Sequence, residues 1–331
     1  MKPWYKEESD IVVSSRIRLA RNLRSVPFPH KLSDTKIKEI TDLIKNNLID
    51  MEFSFGKLHY LPIEEHIEEA AAMVERHIIS PQFLKNNRGR GLLLSDDESV
   101  SIMLCEEDHI RIQVLLGGDR LKEAYKIASE VDKAVNQKLD IAVSNELGFL
   151  TECPTNLGSG LRASLMLHLP ALESFGSIKT ISDSLSKIGF TVRGLYGEGS
   201  NAVCSMFQVS NQVTLGLEES QALNNLENVA KQIINQERHS RDELDLSLLE
   251  DKIYRAYGTL KYARLLTSSE MMGLLSLIKL GISMGIIKDI KQSTVTELLI
   301  ECEPNMLQQK NGRMTPTDRD IARASLVRKK L

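Results

Sequence analysis

The sequence predicts an α+β protein with a smaller helical domain appended. Three observations carry that expectation. Period-two segments (IVVSSRIRL from Ile11, SVSIMLC, IRIQVLL and AVCSMFQVSN) fall in the first two thirds of the chain. Beyond about Leu223 strand propensity nearly vanishes and apolar residues recur at helical spacing. A chain of 331 residues is at the upper limit of what one core usually builds. The composition shift places the division near Arg238, giving domains 1–238 and 239–331.

In the strand from Ile11, Arg16 and Arg18 are two apart and share one face, while Ile17 and Leu19 take the other. Helices are expected over Ser33 to Leu48, with Ser33 as N-cap, and over Ile63 to Ile79. A hairpin follows: SVSIMLC, the acidic turn EEDH, then IRIQVLL, which puts Arg111 on the polar face of its strand. After a helix from about Arg120 to Lys138, CPTNLGSGLRASLMLHLP has the composition of a shaped loop entering an apolar segment. A second glycine-rich piece, RGLYGEGSN, precedes the last strand. Near the C-terminus, TPTDRDIARA offers Thr315 as N-cap and Pro316 at the first helical position. Arg319 and Arg323 then fall one turn apart on one face, which by charge pattern alone is a solvated basic helix.

With 42 Lys and Arg against 45 Asp and Glu, the net charge of −3 provides no general attraction for nucleic acid or anionic membrane. Disordered and fibrous classes are excluded by ordinary hydrophobic and charged fractions of 42% and 26%. The polar N-terminus lacks the apolar stretch of a signal peptide, and the apolar run Met271 to Ile287 is broken by Lys279, so a cytoplasmic protein is expected. Cys105, Cys153, Cys204 and Cys302 lie far apart without metal-ligand spacing, which suggests reduced thiols and no protein-built metal site.

Arg16, Arg18, Arg111, Arg162 and Arg193 each stand beside apolar strand residues or glycine-rich loops. Any one of them alone reads as a surface or ion-paired arginine. Together they suggest a polyphosphate clamp, because guanidinium forks bind phosphate oxygens bidentately and keep their charge. No GxxxxGK[ST] occurs, so a P-loop is excluded.

SSRIRLARN, EEDHIR, CPTNLGSGLRA and RGLYGEGS occur here in the order and context of the ATP:guanidino phosphotransferases, the family of creatine and arginine kinases. Over essentially the whole chain the sequence resembles the bacterial protein arginine kinases among them. The resemblance implies a catalytic domain built on an antiparallel sheet flanked by helices, with ATP and Mg²⁺ as cofactors. It implies an ATP site formed by Ser14, Ser15, Arg16, Ile17 and Arg18, by His77 and Arg111, by Arg162, Ala163, Ser164, Leu165 and Met166, and by Arg193, Gly194, Leu195, Tyr196, Gly197 and Glu198. Without the family context, His77 reads as a structural histidine and Glu106, Glu107 and Asp108 as a solvated hairpin tip.

The chemistry implied needs carboxylates. An arginine guanidinium is protonated far above neutral pH, so its attack on phosphorus requires a base to orient it and take a proton. Glu107 matches the catalytic glutamate of the family and Glu198 the second carboxylate of its arginine kinases. Cys153, otherwise a small buried hydrophobe, matches a substrate-proximal thiol. Cys105 departs from the family, which commonly has Asn there, and this bears on the geometry of the acidic turn. Only ten residues precede Ile11, so the separate small-molecule lid domain of creatine and arginine kinases is not expected, and the acceptor is expected to be arginine in a protein. Arg319, Asp320, Ile321, Ala322, Arg323 and Ala324 resemble the RDxxRA phosphoarginine-binding, allosteric element. The resemblance also implies homodimers, a zinc-binding activator protein, a heat-shock repressor among the substrates, and a stress-response role feeding a chaperone-linked protease. Two rival readings are a kinase for free arginine or another small guanidine, and a non-catalytic adaptor binding phosphoarginine.

Overall fold

A computed structural model describes residues 3–194 and 204–331. The strands are β1 Val12–Arg21, β2 Leu58–Pro62, β3 Gly91–Ser95, β4 Val100–Leu104, β5 Ile110–Gly117, β6 Val143–Ser144, β7 Gly148–Phe149, β8 Leu161–His168, β9 Phe190–Gly194 and β10 Met206–Asn211. The helices are α1 Asp34–Leu48, α2 Ile67–Glu75, α3 Pro81–Lys85, α4 Leu121–Lys138, α5 Pro170–Ser174, α6 Ile178–Ser186, α7 Glu219–Asp242, α8 Leu246–Tyr262, α9 Ser268–Ser283, α10 Gln292–Glu301, α11 Pro304–Asn311 and α12 Pro316–Lys330. Eight strands form one sheet in the order β2-β3-β4-β5-β1-β8-β10-β9, with every pairing antiparallel. β6 and β7 make a separate two-stranded ribbon.

Strand alternation divides the sheet into two faces. Ile17 and Leu19 of β1, Ile112 and Val114 of β5, and Ala163 and Leu165 of β8 join Ile37, Ile40 and Ile44 of α1, with α4 and α7, in the main core. Each fully buried aliphatic side chain there is worth about 1.5–3 kcal/mol of transfer free energy. α1 starts as expected, with the Ser33 hydroxyl accepting the Lys36 N–H at 3.3 Å. The expected helix from Ile63 to Ile79 is shorter. It resolves into a 3₁₀ turn at Ile63–Glu65 and α2, because His77 adopts a left-handed φ of 60° and Ser80 then caps α3.

The helices α8 to α12 build a second core around Met271, Leu275, Ile278, Val295 and Leu298, which also takes in Trp4, Val13, Leu115 and Met206 from the sheet side. Arg238 lies inside α7, which continues to Asp242; Asp245 then caps α8. The polar run from Gln236 onward hides this continuation from a composition reading. α12 opens with the anticipated Thr315 cap, elaborated into a capping box with Asp318. Among the described residues no helix is long and apolar enough to cross a membrane.

Candidate active site

The alternation that buries Ile17 and Leu19 sends Ser14, Arg16 and Arg18 to the opposite face of β1. In the β1–β8 register Arg18 lies across from Arg162, Arg16 across from Ser164 and Ser14 across from Met166. β5 carries Arg111, and on β9 Arg193 pairs with Gln208 of β10. All five arginines that were grouped by sequence therefore line one cleft of about 420 Å³, together with Ser14, His77, Ser164, Met166 and Gly194.

Such a cluster opposes itself. Like charges directly across a strand pair are destabilising. Burial, then the charges of Arg111 and Arg162, lower the Arg16 pKa to about 10. Arg18, half-buried, is pushed well below the ordinary value by desolvation and then by the charges of Arg16, Arg111 and Arg162. Arg16 is held by neutral groups, donating to Ser164 Oγ at 3.4 Å and to Gln208 Oε1. A multiply charged anion is the ligand that such a wall is suited to hold.

The acidic turn between β4 and β5 sorts its carboxylates. Glu106 is buried, accepts from Arg111 and from the Ser80 hydroxyl, and is held below the usual carboxylate range: burial opposes this, but the Arg111 charge and these bonds outweigh it. Asp108 accepts from Asn22 and from the Glu152 N–H. Glu107 is raised above its ordinary value, by burial first and then by Asp108. It lines a smaller pocket of about 100 Å³ with Cys153, Thr155 and Asn156, and three clamp residues, Arg18, Arg111 and Arg162, line both spaces. The turn is thus no solvated tip. Cys105 sits in it at φ 60°, a conformation in which Asn is enriched, so a Cys here carries modest backbone strain while the hairpin closes normally through the Cys105 N–H to His109 O at 2.9 Å.

Not every expected site residue points into the cleft. Ser15, Ile17, Ala163 and Leu165 have the other strand parity; the last three lie in the main core, and Ser15 bonds Gly118 O and the Arg120 N–H. Leu195, Tyr196, Gly197 and Glu198 lie outside the described residues. Cys153 is in the Glu107 pocket, its Sγ 3.0 Å from Thr155 Oγ1. Arg319 to Ala324 lie on α12, outside both pockets. There the two arginines do not form a matched exposed pair. Arg323 is buried, its Nε on Cys302 O at 3.0 Å and its Nη1 on Leu266 O at 2.8 Å and on Asp320, whereas Arg319 is partly exposed.

Sequence reasoning missed Trp4, Glu75, Gln113 and Gln208 in the cleft wall. Gln113 and Gln208 had a signal, since each follows the strand alternation that selected Arg111 and the polar face of β10. Glu75 had none.

An antiparallel sheet with one helix-covered face and one arginine-lined cleft, adjoined by a carboxylate pocket, defines a phosphate-handling enzyme of the non-P-loop kind. The model of the ATP:guanido phosphotransferase C-terminal catalytic domain matches residues 39–240, and that of the protein-arginine kinase McsB C-terminal domain matches residues 247–331. The chain belongs to the ATP:guanido phosphotransferase family. A protein-arginine kinase of Desulforamulus reducens is 46% identical, over 98% of this chain and 93% of that protein. One from Bacillus subtilis is 43% identical, over 100% of this chain and 93% of its own length. Among solved structures, the duplicated taurocyamine kinase of Schistosoma mansoni, with bound transition-state-analogue components, superposes with a TM-score of 0.63 at 27% identity, covering 70% of this chain and 33% of that one. Lombricine kinase shares the fold, with a TM-score of 0.62 at 23% identity, covering 71% of this chain and 68% of that one.

Proposed function

We propose that this chain is an ATP-dependent protein-arginine kinase, transferring the γ-phosphoryl group of ATP to a guanidino nitrogen of arginine side chains in other proteins. One observation carries the reading: the five-arginine cleft and the Glu107 pocket share Arg18, Arg111 and Arg162. A phosphoryl group held by those three guanidinium groups lies between a nucleotide in the larger space and an acceptor in the smaller. Glu107 orients the acceptor guanidinium and takes its proton as the N–P bond forms; the bond from phosphorus to the ADP oxygen breaks, and the arginines neutralise charge on the transferring group. Glu198 is the second carboxylate of this proposal, on resemblance alone.

Mg²⁺ bound to ATP supplies further charge neutralisation. No group of three or more His, Cys, Asp or Glu suited to a metal ion occurs among the described residues. The cleft wall is cationic, so the phosphates are the donors that fit the ion.

On resemblance, the proposal extends to homodimers in the cytoplasm, a zinc-binding activator, a heat-shock repressor and damaged proteins as substrates, and delivery to a chaperone-linked protease under stress. Phosphoarginine binding at Arg319 to Ala324, with allosteric coupling, belongs to it too; Arg319 is the accessible cation, while Arg323 secures the fold.

The deciding experiment offers an unstructured arginine-containing protein and free arginine in parallel, with Mg·ATP and mass spectrometry without acid, which would cleave the P–N bond. Phosphoarginine on the protein at a much higher kcat/KM is expected. Comparable values for the two acceptors would favour a small-guanidine kinase, and absence of transfer to either would remove the enzymatic reading.

A further inference from the structure

The cleft is not cationic throughout. Trp4, Val74, His77, Ile79 and Leu115 line it without entering the Glu107 pocket. The Trp4 indole and the His77 imidazole have centroids 5.9 Å apart and planes inclined at 47°, a corner made of two flat rings. Burial, and then Arg16, hold the His77 pKa down to about 4, so the ring is neutral near pH 7. Two uncharged rings among aliphatic side chains suit a planar heterocycle and offer a phosphate no positive charge.

Neither residue belongs to the sheet, although Gln113 of β5 donates to His77 O at 2.9 Å. Trp4 sits in a 3₁₀ turn ahead of β1, and its Nε1 donates to Arg76 O at 2.9 Å; His77 follows the end of α2 in the left-handed region. Both pieces are bolted to the C-terminal helices. The Glu75 carboxylate accepts the N–H of Asn305 at 2.9 Å, the Asn305 side-chain amide at 2.7 Å and the N–H of Met306 at 2.8 Å, all at the start of α11. On the other side, the buried Lys279 of α9 donates to Ser9 O at 2.8 Å, Glu8 accepts the Ser293 N–H of α10 at 2.8 Å, and Lys6 pairs with Glu297 at 3.5 Å.

We infer that Trp4 positions the base of the bound nucleotide together with His77, and that the C-terminal helical unit holds this corner in place through Glu75 on α11 and residues 6–9 on α9 and α10. This rests on the reading of the arginine cleft as the nucleotide site. It makes Trp4 a binding residue and Asn305 a positioning residue acting through Glu75. By linkage, nucleotide binding stabilises the docked C-terminal unit to the same degree that docking strengthens nucleotide binding.

Trp4 is the only tryptophan, so its emission in the full chain reports on the corner directly. Titration with Mg·ATP is expected to change that emission along the binding isotherm, and titration with tripolyphosphate, which has no base, is expected to leave it nearly unchanged. Trp4→Ala should weaken ATP binding by about fivefold to a hundredfold, the range that base–aromatic stacking commands, and Trp4→Phe should restore part of the loss. Asn305→Ala, one side chain behind the cleft wall and well folded by thermal melting, should weaken ATP by up to about tenfold, a part of what one hydrogen bond to a carboxylate is worth. Tripolyphosphate affinity should hold within about twofold in every variant, because the arginines are intact. ATP binding by the wild type with unchanged affinity in the variants, or equal losses for ATP and tripolyphosphate, would overturn this inference alone. Failure of the wild-type chain to bind ATP would overturn the nucleotide reading and this inference with it.

Discussion

Arg16 and Arg18 lie on the same strand as Arg21, and the molecule treats the two sets in opposite ways. Arg21 is fully enclosed and fully matched. Its Nε and Nη2 grip Asp132 at 2.7 and 2.9 Å, its Nη1 reaches Ala20 O and Ser159 O, and its guanidinium lies 3.5 Å over the Phe149 ring. Among the described residues Arg16 has only neutral partners, and the Arg18 Nε is buried without one. Parity separates them: Ser14, Arg16 and Arg18 face the cleft, whereas Arg21 faces α4 and α7. A buried arginine with its donors spent holds the fold, while one left among other cations is a site waiting for an anion. The neighbouring carboxylates repeat the lesson, since Arg111 claims Glu106 and leaves Glu107 with a raised pKa.

That contrast can be broken in three places. Glu107→Gln is expected to slow phosphoryl transfer by about 10²–10⁴-fold while leaving ATP binding intact. Because the wild-type carboxyl is raised, its activity should decline on acidification from a pH above the ordinary glutamate range, since the base is lost as it protonates. A full rate in Glu107→Gln, or a limb at the ordinary position, would return Glu107 to the status of its neighbours. Next in size, Arg21→Ala should cost about 3–5 kcal/mol in denaturant unfolding by stranding Asp132; a loss under about 1 kcal/mol would show that the ion pair is dispensable. Smallest in stability, Arg18→Met should weaken ATP binding by at least about tenfold by calorimetry, through loss of a charged contact. Its melting temperature should be unchanged or higher, because a half-buried cation facing three other arginines has gone. A destabilisation rivalling that of Arg21→Ala would erase the distinction between the two sets.

Much of this was legible along the chain. Period two in IVVSSRIRL sorted Arg16 and Arg18 from Ile17 and Leu19, and EEDHIR placed a carboxylate turn beside Arg111. The same reading passed over β2 and β3, whose runs LHYLP and GLLLS do not alternate clearly, and extended one helix past His77, where only a left-handed residue stops it. It grouped Arg319 with Arg323 by helical spacing, which cannot reveal that Cys302 and Leu266 carbonyls meet one of them and not the other.

By itself the sequence determined the periodicities, the caps at Ser33 and Thr315, and the residue types that a phosphate clamp and a base require, because these depend on neighbours within a few positions. Only the tertiary structure decided which charges would be matched. Antiparallel register set Arg18 opposite Arg162, packing of α4 brought Asp132 to Arg21, and docking of α11 brought Asn305 to Glu75 across 230 positions of sequence. Burial and pairing arise from residues that meet only when the chain closes, and no local pattern encodes them.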